Sequence, residues 1–305
     1  MIKFKVVQAS RLLLFFAIGV LVLVIGLLVI RVALVQPEPA LNTGADLVDA
    51  DAAEEAKTAS VFASSGDGIE IEVIDAPQAR PSVLIYHTHT HEAYEQVSDD
   101  PYPALEAWRT ADSDHSVVRV GAELARQLEA LGFEVVHDET DHEGDDLPNA
   151  YTRSLATLES YERRFDLYID LHRDAWTEAD AGGFTGSDGR SLARIMLLIG
   201  NGNGFDAKPY YPQNLAFANA LTEEVNAIEP GLCKPVMVKD GRYNQHIGVF
   251  SILVEVGHNR NTLREALNAV EPLAKALRTL WFDSPRPELT QMRSDYLASR
   301  SASIF

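Results

Sequence analysis

The sequence has almost no cysteine and few basic residues. Cys233 is the only cysteine among 305 residues, which excludes an intrachain disulfide framework and a zinc site built from several thiolates. The 26 lysine and arginine residues face 45 aspartate and glutamate residues, a formal net charge of −19. A protein this acidic repels phosphate backbones, so we do not expect nucleic-acid binding.

Charge is also missing from one N-terminal stretch. Residues 12–30 are uncharged and apolar, and at about 1.5 Å per residue they are long enough to cross a bilayer core. Basic residues precede this run and acidic residues follow it, which predicts a cytoplasmic N-terminus over residues 1–11. We expect a transmembrane helix over residues 12–35 and a single-pass protein of the cell membrane whose body lies on the extracytoplasmic side, in the periplasm or wall. The alternative is a cleaved signal peptide, although its apolar core would be unusually long.

The remaining chain divides by composition into three parts. Residues 36–67 are rich in small and acidic residues without hydrophobic periodicity, so we expect a flexible stalk. Residues 68–283 alternate short apolar runs with helical periodicity, which predicts one α/β domain with a mostly parallel central sheet and helices on both faces. Residues 284–305 contain two further prolines and are predicted to be a loose tail.

The predicted elements follow from these periodicities. Strands are expected over residues 68–74, 83–86, 133–136, 167–171, 195–199, 236–238 and 251–256. Helices are expected over residues 117–131, 151–165 and 215–228. Thr262 and Glu265 form a capping box that opens a last helix, and Pro272 is expected to break or restart that helix.

Ionisable side chains follow or occupy three of the predicted strands. The carboxyl ends of parallel strands gather functional groups at one edge of an α/β sheet, so we expect these residues to lie close together. A histidine-rich segment follows the first strand, a His-Arg-Asp sequence ends the second, and a glutamate interrupts the third. The residues concerned are His87, His89, His91, Glu92, His172, Arg173 and Glu255.

These residue types suit a catalytic zinc site, in which three protein ligands leave one position for water. His89, Glu92 and His172 would be the ligands, and Glu255 the carboxylate that takes a proton from water. A histidine-rich surface loop that binds metal adventitiously is the alternative for the first cluster. Glu255 favours catalysis, because a carboxylate within an apolar strand is costly to bury without a partner.

Other polar side chains are predicted to have no role in the site. His115, His137 and His142 lie in polar segments and are expected to be solvated. The acidic segment over residues 138–146 is expected to be a solvated surface loop rather than a regulatory surface.

Several motifs together resemble the stage II sporulation protein P family. The resemblance covers roughly residues 80–282, and an N-terminal anchor is typical of that family. The motifs are Leu84-Ile85-Tyr86-His87-Thr88-His89-Thr90-His91-Glu92-Ala93-Tyr94, Asp170-Leu171-His172-Arg173-Asp174-Ala175, Arg242-Tyr243-Asn244-Gln245-His246 and Leu253-Val254-Glu255-Val256-Gly257.

The resemblance implies a zinc-dependent N-acetylmuramoyl-L-alanine amidase with a phosphorylase/hydrolase-like fold. Such a hydrolase cuts the amide between muramic acid and the L-alanine of peptidoglycan stem peptides. By this carry-over Zn²⁺ is held by His89, Glu92 and His172, and Glu255 is catalytic. The choice of His89 over its neighbours in the first motif is the weakest of these assignments. His87 (nearer the strand end), Arg173 and His246 are candidates to orient the site or contact substrate, and His91 is an additional histidine that blurs the first motif.

Two other functions and one partner stay open from the sequence. A zinc peptidase acting within the stem peptide would use the same ligands, and a catalytically inactive module would bind peptidoglycan or a divisome protein without cutting. The resemblance also allows a partner, a lytic transglycosylase of the stage II sporulation protein D type. Only products of digestion separate an amidase from a peptidase.

Overall fold

The computed structural model describes residues 80–144, 146–206, 210–283 and 286–302. The predicted transmembrane helix, the stalk and the predicted strand over residues 68–74 lie outside the described residues. Within the described ranges, no helix has both the length and the apolar character that a bilayer crossing needs.

Six strands of the described residues form one central sheet. They are β1 (Ser82–Tyr86), β2 (Glu134–His137), β3 (Leu167–Asp174), β4 (Ile195–Gly200), β5 (Met237–Lys239) and β6 (Ser251–His258). Their order across the sheet is β2-β1-β3-β6-β4-β5. Only the pairing of β4 with β6 is antiparallel among these described strands, so the prediction of a mostly parallel sheet is confirmed.

Helices cover both faces of this sheet, as predicted. They are α1 (Val117–Ala130), α2 (Ala150–Ser160), α3 (Tyr211–Ile228), α4 (Leu263–Arg278) and α5 (Pro287–Ala302). The larger hydrophobic core contains residues of α1, α3, α4 and α5 and lies on one face of the sheet. A smaller core on the opposite face receives Leu158 of α2. The candidate site is on the side of this smaller core.

Helix α4 begins as predicted but continues where a break was expected. The Thr262 side chain accepts a hydrogen bond from the backbone N–H of Glu265, and the Glu265 carboxylate accepts one from the backbone N–H of Thr262. Pro272 lies inside the helix, so the predicted break is wrong. Pro272 and Leu273 are buried, and packing of this face against α1 and α3 offsets the backbone hydrogen bond that proline removes.

The predicted loose tail contains helix α5 instead. Leu289 and Tyr296 of this helix are buried in the larger core. The Tyr296 hydroxyl donates to the carbonyl of Phe165 at 3.1 Å. Burial of these two side chains ties the C-terminal segment to the domain, which the surrounding polar sequence does not indicate.

Alternation along the strands brings polar groups to the side of the smaller core. Leu171 and Val254 point into the larger core, so their neighbours on the strands face the other way. In the register between β3 and β6, His172 lies directly opposite Glu255. The two side chains that the sequence assigned to metal binding and to catalysis therefore share one face of the sheet.

Candidate active site

His172 and Glu92, two of the predicted metal ligands, are in direct contact. Nδ1 of His172 lies 3.2 Å from Oε2 of Glu92, and both side chains are largely buried. Burial alone would lower the pKa of His172, but Asp170 and Glu92 together raise it well above its usual value. For Glu92, burial would raise the pKa, but the hydrogen bond with His172 lowers the pKa below its usual value. The positive charge of protonated His172 compensates the negative charges of Asp170 and Glu92, which would be costly to bury unpaired.

Arg173 holds the segment that carries Glu92. Its backbone N–H donates to Oε2 of Glu92 at 3.1 Å. Its guanidinium donates to the carbonyls of Ala93 and Trp108 at 3.0 and 3.1 Å, and lies 3.9 Å from Oε1 of Glu92. These contacts favour the predicted orienting role of Arg173 over direct recognition of substrate.

Asp170 links the two strand ends that carry the histidines. This buried carboxylate accepts hydrogen bonds from the backbone N–H and the hydroxyl of Thr88 at 2.8 and 2.7 Å. Its Oδ1 also lies 2.8 Å from Nε2 of His172. A carboxylate in this position fixes a histidine ring whose other nitrogen is to bind a metal. The sequence assigned no role to Asp170, although its spacing of two residues from His172 on one strand was a usable signal.

Glu255 is a half-buried glutamate with one enclosed carboxylate oxygen. Among the described residues, none donates a hydrogen bond to this oxygen, Oε2. Burial raises the pKa of Glu255 to about 8, although the nearby His172 acts in the opposite direction. Such a shift is typical of carboxyl groups that exchange protons at neutral pH.

His89 lies beside His172 but is turned toward a carboxylate that the sequence did not indicate. The two imidazole rings are 5.3 Å apart between centroids, edge to face. Nδ1 of His89 lies 3.2 Å from Oε1 of Glu143, a side chain that is 1% exposed. The other oxygen of Glu143 contacts Arg109 and lies 3.3 Å from Nδ1 of His91. The acidic loop is therefore not merely solvated: its Glu143 reaches the site.

His87 is fully buried and has both ring nitrogens occupied. Its Nδ1 donates to the carbonyl oxygen of Leu171 at 2.8 Å, and its Nε2 lies 2.9 Å from Nε2 of His137. Burial lowers the pKa of His87 to about 3, so its ring is neutral and its Nε2 accepts from His137. His87 thus connects the ends of β1 and β3, and this favours His89 as the metal ligand.

Gly121 leaves space for this histidine pair. A Cβ atom at Gly121 would lie 2.6 Å from Nε2 of His87 and 2.7 Å from Nε2 of His137. Alanine at an ordinary helix position is more stable than glycine by about 1 kcal/mol. We predict instead that Gly121→Ala lowers the free energy of unfolding by about 1–3 kcal/mol, because the clash outweighs helix propensity. Denaturant titration of this variant, with exposed Glu129→Ala on the same helix as control, tests the point, and a stabilised Gly121→Ala protein would contradict it.

Three histidines predicted to be solvated have polar partners. His142 is 1% exposed; its Nδ1 donates to the carbonyl of His87 at 2.8 Å. His115 lies between Asp100 and Asp112, at 3.0 and 2.9 Å. The prediction was wrong because a polar neighbourhood in sequence does not reveal the long-range hydrogen-bonding partners that the fold supplies.

Two further candidates lie at the margin of the site. His91 is directed to the acidic loop, with its Nε2 3.1 Å from Oδ2 of Asp141. His246 is half-buried in the loop that follows β5. Their predicted roles toward metal or substrate stay predictions.

Residues 37–278 match the family model for stage II sporulation protein P. The chain belongs to this family. Stage II sporulation protein P of Bacillus subtilis (strain 168) is 25% identical over 222 residues, which are 67% of this chain and 52% of that protein. The chain spans about half the length of that relative.

Two solved structures are similar at low identity. N-acetylmuramoyl-L-alanine amidase AmiC2 of Nostoc punctiforme gives a TM-score of 0.39 at 14% identity, over 65% of this chain and 94% of its own. The N-acetylmuramoyl-L-alanine amidase of Clostridium difficile 630 gives 0.40 at 14% identity, over 68% of this chain and 99% of its own.

In this member of the stage II sporulation protein P family, His89, Glu92 and His172 offer imidazole and carboxylate groups, which are donor types that zinc accepts. Ligands about 2.1 Å from a tetrahedral ion lie about 3.4 Å apart, close to the 3.2 Å between His172 and Glu92. Oε2 of Glu255 is also enclosed here and receives no hydrogen bond from the described residues. In the described part of the chain, however, no three such side chains already surround one point. Nδ1 of His89 instead faces Glu143.

Proposed function

We propose that this chain is a membrane-anchored, zinc-dependent N-acetylmuramoyl-L-alanine amidase that cleaves peptidoglycan. The observation that carries the proposal is the grouping of His89, Glu92 and His172 beside the half-buried carboxylate of Glu255. Membership of the stage II sporulation protein P family supports it, because the resemblance of these motifs implies that activity.

In this mechanism the protein supplies ligands, orientation and a proton acceptor. His89, Glu92 and His172 would hold the zinc, which when bound supplies an activated water and polarises the scissile carbonyl. Asp170 fixes the ring of His172, and Arg173 fixes Glu92. Glu255 accepts the proton of the attacking water at its carboxylate and passes it to the leaving nitrogen of L-alanine.

Digestion of purified peptidoglycan by the full-length protein in detergent tests the function. We expect intact stem peptides that begin with L-alanine, together with glycan strands that have lost their peptides, and mass analysis identifies both. A chelator should stop the reaction and added zinc should restore it. Shortened peptides would indicate the zinc peptidase instead, and binding without any product would indicate an inactive module.

We also propose that residues 12–35 anchor the protein in the cell membrane with the catalytic domain outside the cytoplasm. The uncharged run over residues 12–30 and its basic flank support this orientation. The full-length protein should remain with the membrane fraction after high-salt washing, as measured by immunoblotting. Release of a shortened soluble form would contradict the anchor and favour a signal peptide.

Peptidoglycan is the proposed partner of the catalytic domain. A lytic transglycosylase of the stage II sporulation protein D type is a further proposed partner, supported by the family alone. Co-purification of the two membrane-extracted proteins tests this association separately from the enzymatic activity.

A further inference from the structure

A groove lies between the start of α2 and the loop that joins β5 to β6. It has a volume of about 490 Å³, and Tyr151, Phe205, Arg242 and Tyr243 are among the residues that line it. The Tyr151 ring packs edge to face on His89 at 5.6 Å and on Tyr243 at 5.7 Å. Tyr151 therefore lines the groove and also contacts a proposed metal ligand.

Hydrogen bonds fix the loop that forms the floor of the groove. Nδ2 of Asn244 donates to the carbonyl of Tyr151 at 2.8 Å and to Oγ of Ser154 at 3.0 Å. Oγ of Ser154 in turn lies 2.9 Å from the hydroxyl of Thr88, beside His89. The groove is therefore coupled to the site by direct contacts.

The loop holds an unfavourable backbone conformation to present Tyr243. Tyr243 and Asn244 have φ values of 48° and 51°, in the left-handed region that side chains rarely adopt. Gly200 permits the close approach, since a Cβ there would lie 2.6 Å from Cδ2 of Tyr243. Strain of this kind persists where surrounding contacts enforce it, often at ligand sites.

Arg242 brings a positive charge to a protein whose net charge is −19. Its guanidinium lies 4.9 Å from the ring centroid of Phe205, and its Nε is buried without a hydrogen bond. Among the described residues, no carboxylate lies within ion-pair distance of Arg242. The described arginine–carboxylate ion pairs are formed by other arginines, such as Arg109, Arg126, Arg163 and Arg190. A guanidinium that rests on an aromatic ring keeps its edge available for a planar carboxylate.

We propose that this groove binds the acidic stem peptide of the substrate, with Arg242 binding a free carboxylate of the peptide. Tyr151, Tyr243 and Phe205 would contact the aliphatic parts of the same peptide. The inference rests on the proposed amidase function, because it places the peptide on one side of the scissile amide. A sugar bound along the aromatic rings is the competing occupant, but a neutral disaccharide would leave the charge of Arg242 unmatched.

The test compares two synthetic muramoyl peptides that differ only in one carboxyl group near the scissile amide, free in one and converted to a carboxamide in the other. The full-length protein in detergent should show a KM about 10- to 100-fold lower for the free acid, the range expected for a charge-assisted hydrogen bond. Arg242→Gln should raise the KM for the acid and remove this preference while kcat stays similar. Arg242→Lys should restore it in part, and Arg126→Gln, on the exposed face of α1, is the matched control.

Other results would overturn the inference. Equal KM values of the wild-type protein for acid and amide, or an unchanged preference in Arg242→Gln, would exclude the carboxylate contact. Binding of the peptide-free disaccharide that depends on Arg242 would assign the groove to sugar. If neither peptide is cleaved, the proposed function fails, and calorimetry with the two free stem peptides tests the groove separately. Tighter binding of the acid that requires Arg242 would support the proposed peptide site. Equal binding of acid and amide would contradict it.

Discussion

Replacing Glu255 with Gln should reduce amide hydrolysis by about 10²- to 10⁴-fold, the range that general acid–base catalysis supplies. The substitution keeps the size and one oxygen of the side chain but removes its ability to accept a proton. Burial already favours the neutral form, since the pKa of Glu255 is raised to about 8, so the neutral amide should not unfold the protein. Initial rates on a soluble muramoyl peptide measure the loss.

Zinc content and stability make this result specific. Glu255→Gln should keep stoichiometric zinc and an unfolding midpoint close to that of the wild-type protein. Glu271→Gln replaces a half-buried surface glutamate that pairs with Lys275 on α4; it is the matched control and should retain full activity. Turnover by Glu255→Gln at the rate of this control would remove Glu255 from the reaction.

His172→Ala should abolish zinc binding and, with it, hydrolysis. His172 is 2% exposed, contacts Glu92 and Asp170, and sits opposite Glu255, so its loss removes a ligand and the partner of two carboxylates. Losing an outer partner of a zinc ligand already costs about 10- to 100-fold in affinity, and losing the ligand should cost more. Competition with a chromophoric chelator measures the affinity.

A second histidine controls for general effects of the substitution. His115→Ala removes a histidine that pairs with Asp100 and Asp112, and it should bind zinc as the wild-type protein does. His172→Asn fills part of the volume of the histidine ring, so this variant would separate the effect of losing the metal from the effect of losing packing. Stoichiometric zinc in purified His172→Ala would contradict the ligand role.

The central strands were predictable from the sequence because burial on both faces leaves a local signal. The apolar run before His87 and the one around Glu255 correspond to β1 and β6, with limits that shift by only one or two residues. Parallel strands end at one edge, so the grouping of His89, Glu92 and His172 near Glu255 also followed from chain order. The break predicted at Pro272 was wrong because packing of the helix, which the sequence does not reveal, offsets the hydrogen bond that proline removes.

The partners of the site residues were not predictable in the same way. Glu143 belongs to an acidic loop whose sequence predicts a solvated surface, yet its side chain is buried against His89 and Arg109. Tyr151 lies at the start of a helix, and only the fold brings its ring to His89. Such contacts join residues more than 30 positions apart, and no spacing rule encodes them.

X-ray diffraction from zinc-grown crystals of the full-length protein, recorded at the zinc absorption edge, tests the central claim most directly. We predict one anomalous peak at the ends of β1 and β3, bonded to His89, Glu92 and His172, with Glu255 close by but not bonded. A zinc ion bound elsewhere with these three side chains unliganded, or no ordered zinc at all, would contradict the account.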